Sequence, residues 1–302
     1  MKVEDIRKVL IIGAGTMGQQ IGFQCALHGY DVVLYDIDEA AFEKAMTRMK
    51  KISSVMIRRE RITREGADAA FSRISTTTDP ETAARDADFV SESVFEDPAL
   101  KGRVFGQFNT LCPPRTVFTT NTSTLVPSVF ADATGRPEKF LAFHFHDIRT
   151  NNVVDIMPHP GTSPETVKLV EEFARSIGQT ALILHKEQNG YIFNTMFSSW
   201  LSAALSLAAN DVASIEDIDR AWMGVMNMPI GPFGVMDQVG LNTVWIILEY
   251  WAAVNNDPQA KKNAGFIKGY VDNGNLGAKT GQGFYEYPNA SYRRPDFLKH
   301  GD

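Results

Sequence analysis

The chain has only two cysteines, Cys25 and Cys112, in 302 residues, and no metal-ligand spacing surrounds either. That argues against a disulfide-stapled secreted fold and against a structural metal, and points to a reducing compartment such as the cytoplasm. Cys25 falls in an apolar helical stretch and reads as a small buried hydrophobe, while Cys112 precedes Pro113-Pro114 in a turn. An excess of positive charge is also missing: 30 Lys and Arg stand against 36 Asp and Glu, a net charge of -6. Nucleic acid and anionic membrane are thereby disfavoured as main partners, although a local basic patch can still grip an anionic ligand. The first apolar run is far too short to span a bilayer, and it follows charged residues without the layout of a signal peptide. There is no internal repeat and no low-complexity tract. What remains is the composition of an ordinary globular protein, 44% hydrophobic and 22% charged, long enough for one large or two medium domains.

Lys8 to Ile12 is a short apolar run that ends in Gly13-Ala14-Gly15, the pattern of a buried parallel strand entering a turn. Apolar positions at helical spacing follow from Met17 to Leu27 and stop at Gly29, and Asp31 to Asp36 is a second strand. Strand, glycine turn, helix and strand in under 30 residues make a βαβ unit. A long helix is expected from about Glu39 to Arg64, basic in its second half through Lys50, Lys51, Arg58, Arg59, Arg61 and Arg64. Further strands are expected at Ala87–Ser91, Thr116–Thr120, Phe140–Phe145, Val153–Met157 and Thr180–Leu184, with helices at Pro98–Leu111 and Pro164–Ile177. Beyond Glu187 the pattern is helical only: Tyr191 to Asn210, a capping box at Ser214-Ile215-Glu216-Asp217, a start at Gly231-Pro232, and an amphipathic stretch from Asn242 to Val254. The expected architecture is an α/β Rossmann-type NAD-binding domain, residues 1–187, followed by an all-α domain, residues 188–302.

Gly13-Ala14-Gly15-Thr16-Met17-Gly18 is a G-x-G-x-x-G pattern. Its glycines suit a tight turn, close approach of backbone N–H groups to a pyrophosphate, and close packing of helix on strand. The pattern alone is weak, but here it follows a strand, opens a helix, and is followed 18 residues after Gly18 by Asp36 at the end of the second strand. An acidic group there accepts hydrogen bonds from the adenosine ribose and repels a 2′-phosphate, which favours NAD over NADP.

Three polar clusters fall where strands should end, the place where open α/β sheets bind ligands. They are Glu96-Asp97, Asn121-Thr122-Ser123-Thr124 and His144-Phe145-His146-Asp147. Oxidising an alcohol needs a base for the hydroxyl proton while hydride departs, and a histidine suits that task. Against this stands the commoner use of a strand-end histidine as a structural hydrogen-bonding group. His144 and His146 are expected on opposite faces of their strand, so that at most one meets the cofactor. Asp155 sits in the next apolar strand, where an unpaired carboxylate is costly, and a histidine is its natural partner. Ser123 reads equally well as an N-cap for a helical segment near Pro127.

Taken together, these residues resemble the 3-hydroxyacyl-CoA dehydrogenase family, including 3-hydroxybutyryl-CoA dehydrogenases. The resemblance runs through the glycine turn, Glu96 with Lys101, Asn121-Thr122-Ser123, His144-Phe145, Asn194, Ser214–Asp219, Gly231-Pro232-Phe233 and Lys279–Tyr285. It implies that His144 is the catalytic base, oriented by Asp155, with Ser123 on the substrate's 3-oxygen and Asn194 positioning the substrate. It implies that Gly13, Gly15, Thr16, Met17, Gly18, Asp36, Glu96, Lys101 and Asn121 bind NAD. It further implies that the basic helix, through Lys51, Arg58 and Arg59, meets the phosphates of an acyl-CoA, and that the helical domain supports a homodimer. The chain departs from the family in three places. His-Phe-Phe-Asn-Pro is here His144-Phe145-His146-Asp147-Ile148, the orienting glutamate is Asp155 after a loop one residue shorter, and the arginine usual after Asn194 is Thr195. Met157–Thr162 is similar instead to the branch of L-gulonate 3-dehydrogenase (λ-crystallin) and carnitine dehydrogenase, so a free 3-hydroxy acid stays open as the substrate.

Overall fold

A computed structural model of the chain describes residues 1–299. The chain divides into two compact units, Met1–Ile192 and Phe193 onward. The first contains eight strands: β1 (Lys8–Ile12), β2 (Asp31–Tyr35), β3 (Ile74–Thr77), β4 (Phe89–Glu92), β5 (Val117–Thr120), β6 (Phe140–Phe145), β7 (Val153–Pro158) and β8 (Thr180–Ile183). They form one sheet in the order β3-β2-β1-β4-β5-β6-β7-β8. The first six are parallel; β7 runs antiparallel to β6, and β8 is parallel to β7. The order reverses between β1 and β4, so the ligand crevice belongs at the carboxyl ends of those strands.

Apolar alternation explains how the sheet is sandwiched. In β1, Val9 and Ile11 enter one buried cluster and Leu10 and Ile12 the other. The first cluster is covered by α1 (Gly18–Leu27), α2 (Ala40–Arg58), α3 (Arg64–Ser72) and α6 (Pro164–Ser176). The second is covered by α4 (Pro80–Ala84) and α5 (Pro98–Leu111). A strand apolar on both faces needs helices on both faces, as parallel sheets generally do. In α5 the cap is explicit: Pro98 occupies the first turn and the Asp97 carboxylate accepts the Leu100 N–H at 2.6 Å.

The expected single helix over 39–64 is two helices. Helix α2 stops at Arg58, Glu60 takes a left-handed backbone (φ 56°), and Thr63 caps α3 by accepting the Gly66 N–H. Arg61 therefore lies in a turn and Arg64 opens α3, neither continuing the basic face of α2. Strand β3 and helix α4 were not anticipated. The strand reads Ile-Ser-Thr-Thr at the sheet edge, half exposed and without an apolar run.

The second unit is helical: α7 (Phe193–Ala209), α8 (Ile215–Met226), α9 (Pro232–Val239), α10 (Leu241–Asn255) and α11 (Pro258–Asp272). Among its described residues no strand occurs, only isolated bridges at Gly277, Gln282 and Glu286. The Ser214 hydroxyl accepts the Asp217 N–H and so caps α8 as expected. Helix α11 was missed although its start signal is present, Asp257 capping through the Gln259 N–H ahead of Pro258. Two buried carboxylates hold this unit's loops. Asp219 accepts the N–H groups of Phe233 and Gly234 at the start of α9 and the Tyr285 hydroxyl. Asp237 accepts the N–H groups of Phe284 and Tyr285 and the Tyr287 hydroxyl.

Candidate active site

The glycine turn links β1 to α1 at the switch point. Gly13 has φ +99°, and a Cβ there would lie 2.7 Å from the Ser93 carbonyl oxygen; a Cβ on Gly18 would meet the Gly13 oxygen at 1.9 Å. Both positions therefore exclude any side chain. Around Gly15, by contrast, a Cβ would find nothing within 4 Å, so the turn's outer face is open backbone. No side chain caps the start of α1, which leaves its N–H groups and the positive end of its dipole to an anionic group. Asp36 directly follows β2 beside this turn and accepts the Ala14 N–H at 2.8 Å. An open amide cradle beside an acidic residue fits a dinucleotide pyrophosphate and its ribose.

Beyond the turn, β4 ends in a carboxylate that the sequence reading passed over. Glu92 is fully buried, and the Lys101 ammonium from α5 sits 2.7 Å from it and 3.3 Å from Glu96. Thr120 donates its hydroxyl to Glu92 at 2.6 Å, and Val94 its N–H at 2.6 Å. Burial pushes the Glu92 carboxyl above its ordinary range, with Lys101 opposing that rise. At the more exposed Glu96, burial also pushes upward, but Lys101 and the Thr122 and Thr124 hydroxyls outweigh it and hold the group low. Glu96 then organises the turn after β5. It accepts the Ser123 and Thr124 N–H groups at 3.2 Å each, the Thr124 hydroxyl at 2.9 Å and the Thr122 hydroxyl. Ser123 is exposed in that turn and caps no helix; the short helical turn at Pro127 begins without a side-chain cap. The signal for Glu92 was available, since a carboxylate closing a strand of buried residues requires a cation.

His144 and Asp155 face each other directly across the antiparallel β6–β7 pair. Opposed residues in such a pair share a face with close side chains, and His144 Nδ1 lies 3.1 Å from Asp155 Oδ2. Burial alone would raise the Asp155 carboxyl, but hydrogen bonds from two imidazoles and their charge overcome it and hold the group below its ordinary value. An ionised carboxylate only accepts, so His144 carries its proton on Nδ1 and leaves the Nε2 lone pair uncommitted to this pair. The second imidazole is His146, whose Nε2 is 3.2 Å from the same Asp155 oxygen. The expectation of opposite faces is corrected here. Residues two apart on a strand share a face, and the pleat carries His146 to the side where His144 already points. Tyr191, another residue the sequence reading did not select, stacks its buried ring on His144 with centroids 4.6 Å apart. It adopts φ 52°, a conformation uncommon for a bulky side chain and concentrated at functional sites. Asn121, at the end of β5, accepts the Phe145 N–H at 2.7 Å and fixes the end of β6.

The remaining candidates fall elsewhere. Asn194 occupies the first turn of α7 in the second unit. Lys51 and Arg58 are exposed on α2. Arg59 lines an open pocket of about 700 Å³ together with His28, Arg61, Arg149 and Asn151, and Arg59 and Arg61 donate to the Arg149 carbonyl at 3.2 and 3.1 Å. No helix of the described residues is long and apolar enough to cross a membrane.

This fold and turn define the class: a Rossmann-type NAD-binding domain followed by a helical domain, with NAD as cofactor. Comparison with known proteins narrows the class. Residues 8–188 match the NAD-binding domain of 3-hydroxyacyl-CoA dehydrogenase and residues 190–287 match the C-terminal domain of the same family. The chain belongs to the 3-hydroxyacyl-CoA dehydrogenase family. It is 30% identical to a probable 3-hydroxybutyryl-CoA dehydrogenase of Bacillus subtilis, over 94% of this chain and 98% of that protein. Among solved structures it is similar to a diketoreductase described as acting on dicarbonyl compounds (36% identity, TM-score 0.86, covering 93% of this chain and 99% of that one). It is also similar to (S)-3-hydroxybutyryl-CoA dehydrogenase from Ralstonia eutropha (29% identity, TM-score 0.84, covering 94% and 100%).

Proposed function

We propose that the protein oxidises the 3-hydroxyl of an (S)-3-hydroxyacyl-CoA to the 3-oxo ester and catalyses the reverse reduction. The observation that carries this reading is the His144–Asp155 pair, 3.1 Å apart, at the carboxyl end of β6 in an NAD-binding sheet. Bound NAD supplies the hydride acceptor. His144 Nε2 takes the hydroxyl proton, and Asp155, held ionised, stabilises the imidazolium that results. In reduction the same ring returns the proton. Ser123, on a turn anchored by Glu96, donates a hydrogen bond to the 3-oxygen, and Asn194 adds a further substrate amide. Lys101, buried between Glu92 and Glu96, acts on the cofactor pocket through Glu96 rather than by direct contact. Lys51, Arg58 and Arg59 offer charge to the CoA phosphates.

A second reading has its own support. The diketoreductase relative is described as acting on dicarbonyl compounds, and the stretch from His146 to Ile148 departs from the family pattern. A free 3-hydroxy or dicarbonyl substrate is therefore the alternative. Rates of NADH formation with 3-hydroxybutyryl-CoA, alicyclic and aromatic 3-hydroxyacyl-CoAs and free 3-hydroxy acids decide between the two. Preference for a thioester, with the KM for acyl-CoA rising when Arg58 and Arg59 are neutralised, supports the first. Equal or faster turnover of free acids overturns it. His144→Gln is expected to lower kcat by about 10²–10⁴ with NAD affinity unchanged; comparable turnover removes His144 from the proton-transfer role.

For assembly we propose a cytoplasmic homodimer. Two buried free thiols suit a reducing compartment. The exposed Ile246, Ile247, Tyr250 and Val254 form an apolar stripe on α10 of the kind that marks an interface. Light scattering at a monomer mass overturns the dimer.

A further inference from the structure

The Asp155 carboxylate is a point of convergence. Two imidazoles reach one of its oxygens, His144 through Nδ1 at 3.1 Å and His146 through Nε2 at 3.2 Å. One ligand atom from each of the three residues lies within 4.8 Å of the others. The other carboxylate oxygen, Oδ1, is buried and has no hydrogen-bond partner among the described residues, so the site keeps unused acceptor capacity. Ligand atoms around a tetrahedral zinc stand about 3.3–3.5 Å apart, from bond lengths of about 2.0–2.2 Å to nitrogen and oxygen. The two measured separations are already close to that range. Two neutral imidazoles and one carboxylate form a donor set suited to zinc, cobalt or nickel, and it leaves a fourth position for water. This chain builds the set because His146 stands where the family pattern has phenylalanine.

We propose that His144, His146 and Asp155 bind a divalent cation of the zinc class, and that its occupancy switches off proton transfer at His144. Binding follows from geometry alone; the switching half rests on the function proposed above. The chemistry of the switch is tautomeric. A neutral imidazole has one proton for two nitrogens. With Asp155 as partner that proton sits on Nδ1 and Nε2 is a base. A cation on Nδ1 takes that lone pair and moves the proton to Nε2, which then donates and no longer accepts. No proton is gained or lost overall, yet the reacting nitrogen has changed role. The cysteines offer no competing site: both are buried, and burial pushes the Cys112 thiol up to about 12 and Cys25 higher still.

The test uses untagged full-length protein, stripped with a chelator and moved into phosphate-free buffer. Calorimetric titration with zinc chloride is expected to give one cation per chain. Cobalt chloride should produce the visible bands of a low-coordinate site. His146→Phe, which installs the family's usual residue, and His146→Gln should each weaken zinc binding at least about tenfold. Undiminished affinity in both variants overturns the proposal, as does no binding at millimolar zinc. In turnover assays zinc should suppress NADH formation in step with occupancy, the chelator should restore it, and His146→Phe should need a correspondingly higher zinc concentration. Full activity at saturating zinc overturns the switch. If the metal-free enzyme oxidises no 3-hydroxy compound, the functional reading fails while the titration still decides the binding site.

Discussion

Among the described residues the first unit buries three carboxylates (Asp88, paired with the Arg115 guanidinium at 2.8 Å, Glu92 and Asp155) and the second buries two, and the two sets are satisfied in opposite ways. In the first, Glu92 has an ammonium at 2.7 Å and Asp155 has two imidazoles. In the second, Asp219 and Asp237 meet, among the described residues, only backbone N–H groups and tyrosine hydroxyls. The consequences show in protonation. Asp155 is held below its ordinary value because the imidazoles outweigh burial. Asp219 is pushed up to about 6, since burial outweighs the dipoles that solvate it, with Asp237 raised in the same direction. Amide dipoles and buried tyrosine hydroxyls can tie a loop to a helix end, whereas an imidazole is the partner that exchanges a proton near neutral pH. Glu92 and Asp155 thus keep cationic or titratable partners inside the sheet, at β4 and β7, whereas Asp219 and Asp237 close the loops around α9.

That contrast predicts different failures. The largest effect is expected on rate. Asp155→Asn should lower kcat by about 10²–10⁴, because an amide neither fixes the His144 tautomer nor stabilises the imidazolium; steady-state assays showing a loss under about tenfold would break the contrast at its catalytic end. Next, Lys101→Met should cost about 3–5 kcal/mol of unfolding free energy in denaturant melts, since it leaves a buried carboxylate without its cation. Adding Glu92→Gln should recover part of that loss, and no recovery would mean that the ammonium serves some other group. The smallest effect concerns Asp219. Its folded pKa lies above the ordinary 3.8, so the folded chain binds this proton more tightly than the unfolded one. The group's stabilisation is fully present below about pH 4 and is lost as pH rises through about 6, at most roughly 3 kcal/mol by linkage. Thermal melts at pH 5 and pH 7.5 should show a flatter pH dependence for Asp219→Asn than for the parent, and identical slopes would remove this carboxylate as the cause.

Much of the first unit is legible because its signals are local. Strands β1 and β6 and helix α5 fall at their expected residues, since each is a run of one periodicity bounded by a cap or a glycine. What escaped was either polar or positional. Strand β3 is an edge strand of serine and threonine, which no apolar pattern announces. The break at Glu60 depends on a single left-handed residue that any helical composition conceals. Within the candidate site, pairing His144 with Asp155 followed from the cost of a buried charge. The place of His146 required the strand alternation to be applied correctly, and Glu92 required asking what neutralises a strand-end acid. Tyr191 carried no signal in the sequence, because its packing on His144 arises from a backbone turn just before α7.

The antiparallel turn of β7 against β6 has a consequence for how such a protein can change. The distance from His144 to Asp155 is set by main-chain pairing, with Leu141 to Phe145 matched to Pro158 to Val154, and the connecting residues 147–152 have no part in that register. The stem is set by this pairing, while the tip is held separately: Ile148 is buried in the core and its N–H donates to Gln20 Oε1 at 3.2 Å. Recharging the exposed tip residues Arg149, Thr150 and Asn152 leaves the His144–Asp155 spacing as it was. Libraries confined to residues 149, 150 and 152 vary that surface and leave the His144–Asp155 pairing intact.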